Sequence, residues 1–374
     1  MRILNVITGL NTGGAETMLL KLCGGLRAKG ADVGVVSLLE PGTVGRRIAE
    51  TGVPVEGLGM RRGVPSPGAL FSLVSKLRRD RPDVVLSWLY HADLLAFAAT
   101  RFVPRTALVW NLRCSYMNLA EYRRTTGLTV RTCAALSRFP DAVMANSEEA
   151  IRFHETLGYR PRRTQVIPNG FDLELFRPDA EARRAFREKL GVAEDDLLVG
   201  LAGRFDPMKD HATFLAGAGI ALKDNPRLRF ALCGTGVDEG NAELMDLVRA
   251  TGAAERVHLL GRQDDMPGFM AGLDLLTLSS IGESFPNVLG EAMACGVPCV
   301  STDVGDAASI IGDTGTIVPP ADPEALARAV VELSLMSPDS RAELGDAARA
   351  RVERNYGLES VTRKYISFLE QLRK

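Results

Sequence analysis

The chain has 374 residues, more than one hydrophobic core usually serves, so two domains are expected. With 46% apolar and 24% charged residues, it falls outside the disordered, collagenous and fibrous classes. The net charge of −1 conceals an asymmetry: residues 1–170 hold 23 Lys and Arg against 13 Asp and Glu, and residues 171–374 hold 22 against 33.

In chain order, short apolar runs predict strands at Ile3–Ile7, Val33–Leu38, Val84–Trp88, Ala107–Asn111, Ala142–Ala145 and Gln165–Ile167. Amphipathic segments between them predict helices at Ala15–Lys29, Ala69–Arg79, Ala92–Arg101, Glu121–Arg138 and Glu148–Leu157. The same grammar returns with strands at Leu197–Ala202, Arg229–Cys233, Val257–Leu260, Leu275–Leu278, Cys299–Thr302 and Thr316–Val318. Their helices fall near 181–190, 208–222, 241–251, 264–271, 287–295 and 323–336, and two closing helices follow at about 339–354 and 358–372. Alternation of this kind predicts an α/β chain of two doubly wound parallel sheets. The Pro/Asn/Gly cluster Ile167–Asp172, where the charge changes sign, marks the seam between them.

The start of the chain lacks the pattern of a signal peptide, and Val84–Val103, long enough to span a bilayer, carries His91 and Asp93 near its centre. A buried strand running into a helix is the expected form. The six cysteines include no C-x-x-C pair, which fits reduced thiols in a cytoplasm. Basic clusters at Arg61-Arg62, Lys76–Arg81, Arg123-Arg124 and Arg160–Arg163 suit an anionic acceptor, the inner face of a membrane, or simply solvent. No nucleic acid is expected as a partner, because the arginines are not interleaved with aromatics and no nucleic-acid motif is present.

In open α/β sheets ligands bind outside the carboxyl ends of the strands, so the loops there carry the search for a site. After the first strand, Gly13 and Gly14 directly precede a helix, an arrangement that lets backbone approach an anionic ligand or simply makes a tight turn. The loop matches neither the dinucleotide fingerprint nor the P-loop, which counts against a dehydrogenase or a P-loop enzyme. After Leu197–Ala202 come Arg204 and Lys209, a fork and a point charge able to grip a diphosphate, or two solvated cations. Gly234, after the next strand, either approaches a nucleotide or makes a plain turn.

The segment Ser279–Met293 places Pro286 at the expected first helical position, Glu283 before it and Glu291 beyond the first turn. Backbone amides near Phe285, Asn287 and Val288 would face a phosphate, Glu291 a ribose diol and Glu283 a sugar hydroxyl. The plainer alternative makes Glu283 a cap and Glu291 a solvated helix residue. His91 follows a strand, as an active-site or a structural histidine, and Arg113 follows another, as an acceptor contact or a solvated cation. His154 and His258 fall within a predicted helix and strand, and His211 is read as a cap of the helix after Lys209. No D-x-D sequence or metal-ligand spacing occurs, so no metal or other cofactor is expected.

Taken together, these motifs resemble a retaining, nucleotide-sugar-dependent glycosyltransferase of the GT-B fold, in family 4 (group 1). Glu283 through Glu291, followed by Ala292–Pro298, is the most specific piece, joined by Arg204 with Lys209, Gly13–Glu16 and Ile167–Asp172. The resemblance covers nearly the whole chain, with one departure: Ser284 stands where relatives usually carry glycine. It implies two Rossmann-like domains facing across a cleft: residues 1–170 on the acceptor side, with 357–374 returning to it, and residues 171–356 binding the nucleotide sugar. It also implies a UDP-sugar donor in preference to GDP-mannose, and a phosphate grip by Arg204 and Lys209. Glu291 would hold ribose, Glu283 the donor sugar, and His91 would match the family's active-site histidine. The acceptor would be a glycan, a lipid-linked or a small molecule, in cell-surface polysaccharide or glycoconjugate synthesis. The location would be cytoplasmic or peripheral on the inner membrane face. Competing readings are a nucleotide-sugar epimerase or hydrolase of the same fold and a catalytically idle nucleotide-sugar-binding module; the intact Glu283, Glu291, Arg204 and Lys209 argue against the latter.

Overall fold

The computed structural model describes residues 1–11, 13–61, 66–115 and 124–374, without the side chain of Arg124; Arg62, Glu121 and Arg123, named above, lie outside the described residues. The chain divides into two compact units, Met1–Gly170 with Leu358–Lys374, and Phe171–Gly357.

The described part of the first unit runs β1 (Arg2–Ile7), α1 (Gly14–Ala28), β2 (Asp32–Ser37), α2 (Thr43–Glu50), β3 (Val55–Gly57), α3 (Pro67–Asp80), β4 (Val84–Trp88) and α4 (Tyr90–Thr100). It continues with β5 (Ala107–Leu112), α5 (Arg124–Leu136), β6 (Ala142–Ala145), α6 (Glu148–Thr156) and β7 (Thr164–Val166). Every pairing is parallel, in the order β3-β2-β1-β4-β5-β6-β7. The order reverses between β1 and β4, which makes the loops after these two strands the switch point where ligands lodge. β4 and β5 are buried at every residue, because helices cover both faces and leave no polar side for alternation. Ser66 and Ser147 start α3 and α6 by accepting from the amides of Ala69 and Ala150 at 3.2 and 3.0 Å.

The second unit runs α7 (Ala180–Leu190), β8 (Leu197–Ala202), a 3-10 turn at Pro207–Lys209, α8 (His211–Asp224), β9 (Leu228–Cys233), α9 (Ala242–Ala250), β10 (Val257–Leu259) and α10 (Met266–Gly272). Next come β11 (Leu275–Leu278), α11 (Asn287–Ala294), β12 (Cys299–Thr302), α12 (Ala307–Ile311), β13 (Gly315–Val318), α13 (Pro323–Leu335) and α14 (Pro338–Tyr356). Its parallel sheet has the order β10-β9-β8-β11-β12-β13, with the switch between β8 and β11. Phe171 and Gly357, the unit's first and last residues, pair in an isolated parallel bridge, and the Phe171 amide donates to the Tyr356 carbonyl at 2.8 Å.

The last helix, α15 (Leu358–Glu370), belongs to the first unit and packs on α1, burying Val361, Tyr365, Phe368 and Leu369 in that unit's core. Residues 84–103 form β4 and α4, and among the described residues no helix is long and apolar enough to cross a membrane.

Candidate functional site

In the second unit three loops at the carboxyl ends of β8, β9 and β11 interlock. The Phe205 amide donates to the Thr235 carbonyl at 2.9 Å, the Ile281 amide to the Met208 carbonyl at 2.9 Å, and the Ser279 hydroxyl to the Lys209 carbonyl at 2.9 Å. Gly234 is required here. Its φ of +151° suits glycine, and a Cβ would fall 2.0 Å from the Gly203 carbonyl oxygen. Gly305 closes the far side, where a Cβ would meet the carbonyl oxygens of Glu283 and Ser284 at 2.5 and 2.6 Å.

Neither cation of the first of these loops is unpaired. Arg204, with 69% of its side chain exposed, donates through Nε to Asp206 Oδ2 at 2.8 Å. Lys209 pairs with the Glu283 carboxylate, which also accepts from the Ser280 hydroxyl at 2.8 Å. The sequence suggests separate duties for Lys209 and Glu283; the fold joins them across 74 residues. Asp206 is held below its ordinary pKa: burial raises it, but the Met208 amide and the Arg204 guanidinium outweigh that.

Helix α11 begins at Asn287, so Pro286 is its N-cap and not its first helical residue. The reason is local. Pro286 has ψ 98°, an extended value, while its carbonyl already accepts from the Leu289 amide at 3.2 Å. Glu291 stands one turn in, half-buried, and Val288 packs partly against the core. The Phe285 ring is buried against Phe171 and Tyr356, at centroid distances of 6.2 and 5.8 Å, which leaves its backbone alone to face a ligand. His211 is not the cap of its helix. Asp210, at φ +46°, fills that role by accepting from the Thr213 amide at 3.0 Å, and His211 is buried, its pKa pushed down to about 4 by burial and by Lys209.

In the first unit the β1 loop ends at Gly13, the N-cap of α1, with no side-chain bond at the cap. Its φ of −178° is open to any residue; the nearest atoms a Cβ there would meet belong to the Glu16 carboxylate, 2.2 Å away. Burial raises the Glu16 pKa, opposed by its own amide and by Arg113. His91 is the second residue of α4, half-buried, and burial lowers its pKa, which favours a neutral imidazole. The residue that turns the chain into this helix, Leu89, has φ +72°, a conformation that costs a branched side chain about 1–3 kcal/mol.

Arg113 follows β5. Its guanidinium lies over the Trp88 indole, 4.9 Å from the ring centroid, and Nη2 donates to Asn169 Oδ1 at 2.5 Å. Trp88 is fixed in turn by donating through Nε1 to Asn5 Oδ1 at 3.1 Å. Behind the β4 turn, the buried Asp93 accepts from the Ser87 hydroxyl at 2.5 Å.

Asp206, Ser279, Ser280 and Gly305 were not read as functional from sequence. Ser279 and Ser280 open the Glu283 segment, but nothing local shows that they brace the Lys209 loop. Among the described residues no group of three or more His, Cys, Asp or Glu is gathered to hold a metal ion.

Two doubly wound units, each built on a parallel sheet with a switch in strand order, define a two-domain Rossmann-like protein of the GT-B fold. The family model for Glycosyltransferase Family 4 matches residues 12–175 and that for Glycosyl transferases group 1 matches residues 196–335. The chain belongs to this group 1, family 4 class and is a glycosyltransferase. EpsF of Bacillus subtilis, named as a glycosyltransferase, is 27% identical over 317 residues, covering 81% of this chain and 79% of EpsF. The D-inositol 3-phosphate glycosyltransferase of Geodermatophilus obscurus is 34% identical over 222 residues, covering 55% of this chain and 49% of the relative. The match thus spans about half the length of that enzyme. Anabaena HepE, solved in complex with UDP, is 25% identical with a TM-score of 0.86 over 100% of both chains. It has also been solved with UDP-glucose.

Proposed function

We propose that this glycosyltransferase moves a sugar, with retention of anomeric configuration, from a UDP-sugar held by the second unit to an acceptor held by the first. The observation that carries the reading is the interlock of the β8, β9 and β11 loops around the Lys209–Glu283 pair. That arrangement sets a cation, a carboxylate and the amide end of α11 on neighbouring loops, a set suited to a diphosphate joined to a sugar. The solved complexes of HepE with UDP and with UDP-glucose support the choice of donor.

In this mechanism the bond between the anomeric carbon and the β-phosphate oxygen breaks, leaving charge on the diphosphate and an oxocarbenium-like sugar. Arg204, Lys209 and the α11 amides Asn287 and Val288 stabilise the former, with the backbone at Gly234 and Phe285 close to the nucleotide. Glu291 binds the ribose diol and Glu283 a hydroxyl of the donor sugar. The acceptor oxygen bonds to the same face of the anomeric carbon, and its proton passes to the departing phosphate. His91, neutral, positions the transferred sugar. Charge on the leaving group is met by side chains and amides, so no metal is required. The basic first unit favours an acidic or membrane-borne acceptor, in cell-surface polysaccharide or glycoconjugate synthesis, with the enzyme in the cytoplasm or peripheral on the inner membrane face. A phosphorylated acceptor is named for the D-inositol 3-phosphate glycosyltransferases.

The test is thermal stabilisation and slow hydrolysis with a panel of UDP-, GDP-, ADP- and dTDP-sugars. UDP-sugars at a hundred times their Kd should stabilise the fold by about 2.7 kcal/mol. Stabilisation by another nucleotide family alone would overturn the donor assignment, and an epimerised product formed without acceptor would overturn the transfer.

A further inference from the structure

Resting on the reading of the first unit as the acceptor side, we infer that the acceptor carries a phosphate or carboxylate next to the accepting hydroxyl, and that Arg113 is the residue that reads it. This goes beyond a basic surface. It places one anion at one guanidinium, in the loops at the switch point of the first sheet.

Three adjoining strands bring the parts together. Ile7 of β1 pairs with Trp88 of β4, and Trp88 with Asn111 of β5, so the β1 loop with Glu16, the β4 turn with His91 and the β5 loop with Arg113 leave the sheet side by side. Arg113 lies over the Trp88 ring and is bonded to Asn169, itself 3% exposed. Its Nε and Nη1 are shut off from water and have no hydrogen-bond partner among the described residues. Two donors of a cation left this way are costly, and the usual remedy is a bonded carboxylate. Glu16 is near enough to act on Arg113 electrostatically but makes no bond to it, and burial draws its carboxyl toward the neutral form. Burial lowers the Arg113 pKa, opposed by the Tyr365 hydroxyl of α15, which acts on it by charge and hydrogen bonding, and by Glu16.

The two open groups of Arg113 are donors, and the Tyr365 hydroxyl and the Asn111 amide beside them, the latter unpartnered among the described residues, can donate as well as accept. A neutral sugar hydroxyl gives one acceptor oxygen and brings a proton of its own, whereas a phosphate or carboxylate presents several lone pairs and no proton. An oxyanion therefore satisfies what the fold leaves unmet. The contact with Trp88 and the bond to Asn169 hold the guanidinium before the ligand arrives, so little freedom is lost on binding.

The full-length protein with bound UDP provides the test, with inorganic phosphate, glucose, glucose 6-phosphate and glucuronate as probes in calorimetry. Wild type should bind the two sugar anions at least tenfold more tightly than glucose, and their order separates phosphate from carboxylate. Arg113→Gln should erase the preference and weaken inorganic phosphate by tenfold or more while UDP affinity stays within twofold. Arg113→Lys, which keeps charge and loses the planar fork, should fall between. Equal binding of glucose and its anions by wild type, or an unchanged preference in Arg113→Gln, overturns the proposal. So does loss of UDP binding with a lowered Tm in both variants, which would make Arg113 a strut. Failure of wild type to bind UDP would sink the donor reading instead, and the anion preference would still decide this one.

Discussion

In the second unit the cations of the β8 loop already rest on carboxylates, Arg204 on Asp206 and Lys209 on Glu283. In the first unit two buried charged groups do not, although the buried Lys76 rests on Glu56 and Asp80: among the described residues Arg113 has an amide oxygen for one nitrogen and no hydrogen-bond partner for two others, and Asp93 has one serine bond and an Oδ2 without a partner. The difference teaches how each set of loops is held. Interlocking partners hold the β8, β9 and β11 loops to one another, and under the proposed function the ion pairs there would have to yield to a diphosphate. The loops of the first sheet's switch point pack against Trp88 and the sheet, which leaves polar groups without partners among the described residues.

The sharpest way to break this contrast is to add one methyl group to a glycine in each unit. Gly234→Ala drives a Cβ into the Gly203 carbonyl at a φ unsuited to alanine and should destabilise by more than about 4 kcal/mol. Gly13→Ala meets the movable end of Glu16 in extended backbone and should cost less than about 1 kcal/mol. Urea midpoints of the two variants check the pair; similar losses would mean that the close approach at Gly234 does not hold the β8 and β9 loops together.

Asp93 tests the other half of the contrast. Burial pushes its pKa up to about 8 from 3.8, against the bond from Ser87. Between these values the folded state keeps a proton that the unfolded chain releases, so stability falls as pH rises from about 4 to about 8, by at most about 1.4 kcal/mol per pH unit. Asp93→Asn has no proton to lose and should lack that part of the slope. Melting at pH 5, 6.5 and 8 checks it, and parallel curves for variant and wild type would show that Asp93 ionises normally.

Lys209 and Glu283, with 24% and 15% of their side chains exposed, should be coupled by about 1–2 kcal/mol in a double-mutant cycle of Lys209→Met and Glu283→Gln. Either single variant should lower donor turnover about a hundredfold. Additive effects on both stability and turnover would mean that the two groups act independently.

The βα alternation was legible because central strands such as β4 and β8 are unbroken apolar runs bounded by turn residues. α2 and β3 were not read. α2 spans only Thr43–Glu50 and depends on burying Val44 and Ile48, while β3 has three residues and none fully buried. α12, five residues long, has too little length for periodicity to show. In the site, glycines and charges after strands were visible as positions, but pairing was not. Nothing near Glu283 in sequence shows that Lys209 meets it, or that Gly305 presses on its carbonyl, because those contacts exist only once β8, β11 and β12 lie side by side. Pro286 was misplaced by one residue because its sequence preference says nothing about ψ, and here ψ is extended.

The smallest effect on stability should come from Arg204, and for that reason it separates folding from function most cleanly. Its side chain is largely in solvent and its ion pair among the described residues is with a neighbour two residues away, so Arg204→Ala should change stability by less than about 0.5 kcal/mol. If the guanidinium grips the leaving diphosphate, turnover at saturating donor should still fall by about ten- to a hundredfold. Arg204→Lys, which supplies charge without the planar fork, should recover part of that loss. Asp206→Asn would free Arg204 but also weaken the acceptor of the Met208 amide, so a gain in donor affinity there with a small loss of stability would show that the pair restrains the cation until the diphosphate takes it. Full activity of Arg204→Ala with saturating donor and acceptor would leave Lys209 and the α11 amides as the grip, and the exposed arginine as a solvated cation.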